Sequence, residues 1–310
     1  MSLVVHMEAV VDGVIFEFGY VTGDVDDRHP LDPTGPKPVG RGNTRTPRGR
    51  RSDTAAVRIP SLAVTSPENV LQVLHDAARA VNERLRGLAD WGPAGTRPGQ
   101  YRSDLVADAA ALEVIDAAGF GAFSEESGVH HGERSVLVVV DPVDGSTNAS
   151  RGLPWWATSL CALDDHGALA AVVVNQATGS RFEAVRGGGA FCDGRPISPT
   201  DCPSMDRAIV AFSGYPDRWL GWLQYRSLGA AALDLCAVAE GVLDGYAVVG
   251  GSLLGSWDYL GGMLVCSEAG AVVGEAGGRE LVTLAHDARR APFAASTPAL
   301  LEAFLAAAAQ

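Results

Sequence analysis

The sequence has no apolar stretch approaching the roughly 20 residues that a membrane-spanning helix needs. Its first residues also lack the basic start of a secretory leader, and their apolar positions are interrupted by Glu8, Asp12 and Glu17. We therefore expect a protein that neither spans a membrane nor enters the secretory pathway.

Cysteine is scarce and shows no pattern. The 310 residues contain five cysteines, an odd number with no C-x-x-C pair: Cys161, Cys192, Cys202, Cys236 and Cys266. A disulfide framework and a zinc cluster both need a more regular arrangement. The pattern predicts free, mostly buried thiols in a reducing compartment, and hence a cytoplasmic protein.

Basic residues are outnumbered, with 24 Lys and Arg against 37 Asp and Glu, for a net charge of −13. Residues 1–65 contain eight of each sign, so residues 66–310 carry the whole excess. Nucleic acid binding needs a basic surface, and no nucleic acid partner is expected. An acidic protein can still bind a phosphate ester if bound cations reverse the local field.

Residues 1–65 differ in composition from the rest of the chain. Apolar, strand-like residues extend to about residue 20, and a stretch rich in proline, glycine and charge follows as far as Ser61. This composition predicts an N-terminal extension, partly a disordered linker. An alternative is that its basic patch, Arg41 to Arg51, contacts nucleic acid or an acidic partner.

The strongest chemical signal lies between Val138 and Asn148, which reads VVVDPVDGSTN. The β-branched run from Ser135 to Val140 predicts a buried strand, and Pro142 is expected to end it because proline cannot donate to the ladder. Two carboxylates then meet at one strand end, before small residues whose backbone N–H groups suit an anion. Mg²⁺ is typically held by a few carboxylates together with substrate phosphate. The segment indicates metal-assisted phosphoryl chemistry, and the alternative is an acidic turn after a core strand.

Other acidic residues also fall at the ends of predicted elements. A helix is predicted from about Ser103 through Ala118, with Asp104 and Asp108 on one face. Asp104 is most simply a cap, and Asp108 points either into a site or into water. Glu125 and Glu126 follow a short predicted strand, and either one could join Asp141 and Asp144; the alternative is an exposed surface pair. Asp258 opens a helix after a glycine-rich loop, where it serves either as a cap or as a site residue.

Together these segments resemble the inositol monophosphatase family of Mg²⁺-dependent, lithium-sensitive sugar phosphatases. Four matches, in the family's order, carry the resemblance: Ser124–Ser127 with Ser124 in place of a glycine, Asp141–Asn148, Arg226–Leu233 and Trp257–Gly270. The resemblance covers about residues 66–310. It implies an α+β sugar-phosphatase fold, a layered α-β-α-β-α sandwich. An N-terminal half, 66–200, would carry the metal site, and a C-terminal α/β half, 201–310, would complete it.

The resemblance also implies roles for individual residues. Two or three Mg²⁺ ions would be held by five groups: Glu125, Asp141, the Val143 carbonyl, Asp144 and Asp258. Phosphate would be bound by the N–H groups of Gly145, Ser146 and Thr147. The attacking water would be oriented by Glu125 and Ser146, with Asp108 replacing an acid of the family pattern. Substrate contacts would come from Asp144, Gly229, Ala230 and Ala231.

The implied activity is hydrolysis of a small phosphorylated alcohol by metal-activated water, in an enzyme that is often a homodimer. Trp155 and Trp156 are candidates for the dimer interface or for the core. Val248 stands where true inositol phosphatases have an acid that contacts substrate hydroxyls, so we expect a different preferred ester. The alternatives are a nucleotide phosphatase of the 3′-phosphoadenosine 5′-phosphate type and a catalytically inactive relative used for binding.

Overall fold

The computed structural model describes residues 66–97 and 99–308, and two strands near the N-terminus. These strands, β1 (Val4–Val11) and β2 (Val14–Val21), form an antiparallel hairpin. The linker predicted after them lies outside the described residues. Internal contacts divide the chain into two units, Met1–Val64 and Thr65–Gln310.

Two helices begin this unit. The first, α1 (Pro67–Arg86), starts as its sequence predicts, because the Ser66 hydroxyl accepts a hydrogen bond from the backbone N–H of Asn69 at 3.3 Å. The second, α2 (Arg102–Ala117), starts with the Asp104 carboxylate accepting from the backbone N–H of Tyr101 at 2.8 Å. The predicted capping role of Asp104 is thus confirmed.

A mixed sheet of eight strands follows, in the spatial order β10-β9-β8-β7-β6-β5-β3-β4. Only β3 and β5 run parallel to each other; the other neighbours are antiparallel. The strands are β3 (Gly121–Ser124), β4 (Gly128–His130), β5 (Leu137–Asp144), β6 (Ala157–Asp164), β7 (Gly167–Asn175), β8 (Arg181–Val185), β9 (Gly189–Cys192) and β10 (Arg195–Pro196). The parallel pair brings the carboxyl ends of β3 and β5 to the same edge.

The central strand β5 does not end before Pro142, as the sequence predicts, but continues to Asp144. Its pairing with β6 is regular up to Asp141 and Ser159, and then shifts register before Asp144 meets Ala157. The missing proline N–H therefore produces a β-bulge rather than a strand end. The bulge places the Asp141 and Asp144 carboxyl groups close together.

A second sheet has five strands in the order β12-β11-β13-β15-β14. They are β11 (Ile209–Ser213), β12 (Gln224–Arg226), β13 (Gly245–Val248), β14 (Val272–Glu275) and β15 (Pro292–Ala295), and the remaining helices are α3 (Ser146–Arg151), α4 (Ala231–Ala239), α5 (Ser256–Ala269) and α6 (Pro298–Ala308). Helices α1 and α2 cover one face of the large sheet, and α4 and α5 lie between the two sheets. Helix α6 covers the outer face of the small sheet. This α-β-α-β-α order confirms the predicted fold.

Several further predictions from the sequence concern the core. All five cysteines are buried free thiols. Trp156 is buried against Trp91, and the partly buried Trp155 donates from its indole N–H to Asp234 at 2.9 Å, so both belong to the core. Among the described residues, no helix combines the length and the apolar character needed to cross a bilayer.

The close packing of α4 on α5 depends on Gly262. A Cβ at this position would lie 2.6 Å from the Leu235 Cβ and 2.8 Å from the Ala232 carbonyl oxygen. We expect Gly262→Ala to lower the free energy of unfolding by about 1–3 kcal/mol, because overpacking outweighs the gain in helix propensity. Urea unfolding measures this change. Gly274→Ala is the control, because the nearest atom to its Cβ is 3.5 Å away. Equal stability of the Gly262 variant and the wild type would contradict this packing.

Candidate metal centre and active site

Three carboxylates converge where β5 meets the helices between the sheets. Asp141, Asp144 and Asp258 each present an oxygen, and these three oxygens lie within 4.8 Å of one another. Asp141 and Asp144 are buried and Asp258 is partly buried. Among the residues that the structure describes, no lysine, arginine or histidine forms an ion pair with any of the three.

Each of these carboxylates is held in place by a backbone N–H. Asp141 accepts from Val143 at 3.0 Å, within the β-bulge. Asp144 accepts at 2.8 Å from Ala232, in the first turn of α4. Asp258, in the first turn of α5, accepts at 2.7 Å from Gly255. The helix N-termini are favourable places for negative charge, so the backbone compensates part of the repulsion between the carboxylates.

Glu125 extends this cluster from the end of β3. Burial, followed by the negative charges of Asp258 and Glu126, raises the pKa of Glu125 to about 8. Burial and then the charge of Asp144 raise the pKa of Asp258 to about 7. The pKa values of Asp141 and Asp144 also lie well above their usual range, with burial as the main cause. The four groups therefore act on one another as a single cluster of like charges.

The residues predicted to bind phosphate lie directly after this cluster. Gly145 precedes α3 with φ +84°, and a Cβ there would lie 3.0 Å from the Gly229 carbonyl oxygen and 3.1 Å from the Ala230 Cβ. The Asn148 side chain donates hydrogen bonds to the Leu228 and Trp155 carbonyls, each at 2.7 Å. Two of the predicted substrate contacts, Gly229 and Ala230, are thereby held against the start of α3, and Ala231 follows as the first residue of α4.

A pocket of about 270 Å³ opens beside the cluster. Its lining combines acidic, cationic and small polar groups: Arg97, Gly99, Gln100, Asp104, Glu125, Glu126, Ser146, Trp257, His286 and Arg289. Glu125 and Ser146, the two residues predicted to orient water, share this pocket. Arg97, His286 and Arg289 could not be predicted as pocket residues, because they lie in loops without a recognisable motif.

The two acidic residues of α2, Asp104 and Asp108, have different surroundings. Asp104 lines the pocket, and burial as the largest cause raises its pKa to about 6. Asp108 instead accepts a hydrogen bond of 2.5 Å from Ser124, whose oxygen also accepts from the Glu126 backbone N–H at 3.0 Å. Asp108 therefore stabilises the turn that carries Glu125, and it does not line the pocket. The sequence signal for Asp104 was its place on the same helical face as Asp108.

A somewhat larger pocket, of about 300 Å³, lies between α2 and β4. Its lining includes His130 and His131, together with Glu113 and Asp116 of α2. None of the carboxylates of the cluster belongs to it.

Comparison with known proteins assigns the family. Residues 67–310 match the model of the inositol monophosphatase family. The chain belongs to this family. It is 35% identical over 211 residues to a fructose-1,6-bisphosphatase/inositol-1-monophosphatase of Archaeoglobus fulgidus, covering 66% of this chain and 80% of the relative. Identity to an inositol-1-monophosphatase of Mesorhizobium japonicum is 34% over 208 residues, covering 60% of this chain and 76% of the relative. The protein is accordingly a phosphoric monoester hydrolase of the inositol monophosphatase type.

A solved structure shares the fold of this phosphatase. It is a Pyrococcus horikoshii protein with similarities to inositol-1 monophosphatase, and the TM-score is 0.71 over 78% of this chain and 99% of that one. At 24% sequence identity, this likeness supports the fold alone.

The raised pKa values give the metal-free phosphatase a pH-dependent stability. The carboxyl groups of the cluster bind protons more tightly when folded than when unfolded. Their contribution to stability is fully present below the unfolded pKa, about 4, and is lost as the pH rises through about 7 for Asp258 and 8 for Glu125. We expect the melting temperature in EDTA to fall between pH 5 and pH 8, and Mg²⁺ to restore it.

Asp258→Asn removes one charge of the cluster and should raise the metal-free melting temperature at pH 8 by roughly 2–8 °C. It should also weaken the effect of Mg²⁺. Differential scanning calorimetry at both pH values measures the change, with the exposed turn residue Asp165→Asn as the control. A metal-free wild type that becomes more stable from pH 5 to pH 8 would contradict the electrostatics described here.

Proposed function

We propose that this phosphatase hydrolyses a small phosphorylated alcohol with Mg²⁺ bound at the carboxylate cluster. The observation that carries the proposal is the convergence of Asp141, Asp144 and Asp258 within 4.8 Å. Such a set of buried like charges is favourable when a cation binds between them, and hard divalent cations prefer carboxylate oxygens. The electrostatic coupling of Glu125 to the cluster supports its inclusion.

Two or three ions would be held by these four carboxylates together with the Val143 carbonyl. When bound, Mg²⁺ supplies a positive charge that polarises the phosphate and lowers the pKa of a coordinated water. The protein's own groups would then orient the reactants. Glu125 and Ser146 share the pocket and would position the attacking water, with Asp104 beside them. Asp108 would act on the same site indirectly, through Ser124.

The phosphate would be held by the N–H groups of Gly145, Ser146 and Thr147 at the start of α3. Backbone donors at a helix start suit a phosphate because each N–H there lacks a partner within the helix. Asp144 and the segment Gly229–Ala231 would contact the remainder of the substrate. Their close approach to Gly145 supports this assignment.

The preferred ester is proposed to differ from inositol 1-phosphate. Val248, which takes the position of a substrate-binding acid in the family pattern, is buried in β13, and its side chain offers no acceptor to a ring hydroxyl. Such a contact would contribute about one to two decades in kcat/KM. Candidates are histidinol phosphate, a sugar phosphate or, as the alternative, a nucleotide such as 3′-phosphoadenosine 5′-phosphate.

Phosphate release from inositol 1-phosphate, fructose 1,6-bisphosphate, histidinol phosphate and 3′-phosphoadenosine 5′-phosphate, each with Mg²⁺, tests the proposal. We expect activity on at least one ester and a lower kcat/KM on inositol 1-phosphate. Inositol 1-phosphate as the best substrate by tenfold would contradict the proposed preference. No release from any ester would favour the catalytically inactive relative.

Asp141→Asn should lower kcat at saturating Mg²⁺ by about a hundredfold or more, because even groups that only orient a metal ligand typically contribute ten- to a hundredfold. Asp165→Asn, at the exposed β6–β7 turn, should retain full activity. Near wild-type turnover of the Asp141 variant would contradict the site assignment.

We further infer a cytoplasmic homodimer. The buried free thiols support a reducing compartment. Four large side chains near β12 are well exposed and would suit an interface: Tyr215, Trp219, Leu223 and Tyr225. Light scattering in solution should give about twice the mass of the chain, and a stable monomer at micromolar concentration would contradict this inference.

A further inference from the structure

Arg289 holds a fixed position at the mouth of the active-site pocket. The backbones of Leu254 and Arg290 exchange two hydrogen bonds, of 2.8 and 2.9 Å, which fasten the loop carrying Arg289 to the loop before α5. The Arg289 Nη1 donates to the carbonyls of His286 at 2.8 Å and Ala288 at 2.9 Å. Its guanidinium carbon lies 5.2 Å from the centroid of the Trp257 ring. The side chain is therefore oriented before any ligand binds.

Arg289 differs from the other arginine of the pocket in having no carboxylate partner. Arg97 donates to Glu126 at 2.6 Å and is thereby neutralised. Among the described residues, no carboxylate lies within 4.0 Å of the Arg289 guanidinium, and hydrogen-bond acceptors are found for its Nη1 alone. Its positive charge acts on Asp258, whose raised pKa it partly offsets.

A guanidinium that is stacked on an aromatic ring and keeps free donors is a suitable binding group for phosphate, because its planar donors match two oxygens at once. The scissile phosphate would be bound by the cluster and by the turn Gly145–Thr147. Arg289 comes from a different loop and lines the same pocket together with Ser146. Because the scissile phosphate already has these partners, we take a group that meets Arg289 to belong to the leaving alcohol.

We propose that Arg289 is a specificity-determining residue that binds a second phosphate carried by the leaving alcohol. The proposal rests on the phosphatase function proposed above and narrows its substrate to a bisphosphate. It also disfavours a cationic alcohol such as histidinol, which would meet a like charge at this position.

Two pairs of substrates, each pair sharing one scissile phosphate, test this role. The first pair is fructose 1,6-bisphosphate and fructose 1-phosphate. The second pair is 3′-phosphoadenosine 5′-phosphate and adenosine 3′-phosphate. In at least one pair, the wild type should show about tenfold or higher kcat/KM on the bisphosphate. Arg289→Gln should reduce kcat/KM on that bisphosphate by about ten- to a hundredfold, mainly through KM, and on the monophosphate by less than about threefold.

Arg289→Lys keeps the charge but not the planar donors, and should recover part of the lost activity. Arg195→Gln, on the exposed edge strand β10, is the control. It should leave kcat/KM unchanged on both the bisphosphate and the monophosphate. Equal losses on both members of a pair, or a wild type without preference for either bisphosphate, would overturn the role of Arg289 while leaving the phosphatase function intact. No phosphate release from any of the four esters would overturn this role. It would overturn the phosphatase function as well if inositol 1-phosphate and histidinol phosphate are also left intact.

Discussion

The structure of the site depends on keeping like charges close together in a buried place. Asp141, Asp144 and Asp258 present oxygens within 4.8 Å of one another, and Glu125 is electrostatically coupled to them. Repulsion and desolvation both oppose this arrangement. Three backbone N–H groups, two of them at the starts of α4 and α5, fix the three aspartates against that repulsion. A divalent cation bound between the carboxylates would offset the repulsion that remains. The fold therefore prepares the site for the proposed metal-dependent chemistry.

The layered architecture explains how residues far apart in the sequence meet. The parallel pairing of β3 with β5 brings Glu125 to the edge where Asp141 lies. The packing of α4 and α5 between the two sheets brings Asp258 and the segment around Ala232 to that same edge. The absence of a Cβ at Gly145 and Gly262 permits the close approaches that this arrangement needs.

Much of this could be predicted from the sequence, because the relevant signals are local. Ser66 and Asp104 cap helices through bonds to residues three positions away. The family pattern from Asp141 to Asn148, with that from Trp257 to Gly270, correctly indicated the layered fold and the clustering of three acids.

The features that escaped prediction depend on contacts distant in sequence. Pro142 was expected to end β5, but the pairing of β6 with β5 on both sides of the bulge keeps the strand intact. The relation of Asp104 and Asp108 to the pocket depends on Ser124, sixteen residues beyond Asp108, which binds the latter acid. Whether Trp155 belongs to an interface or to the core could not be decided from the sequence, because its indole N–H bonds to Asp234 on α4, 79 residues further along the chain. The placement of Arg289 requires the pairing of Leu254 with Arg290, which no local pattern encodes.

The central claim is that the cluster of Asp141, Asp144 and Asp258 is a divalent-cation site. The most direct measurement is an anomalous difference map from crystals grown with Mn²⁺ in place of Mg²⁺. We expect a strong peak coordinated by oxygens of these three aspartates, with Glu125 in contact with the same ion or a neighbouring one. An ordered cluster with no peak at saturating Mn²⁺, or metal bound only elsewhere on the protein, would contradict it.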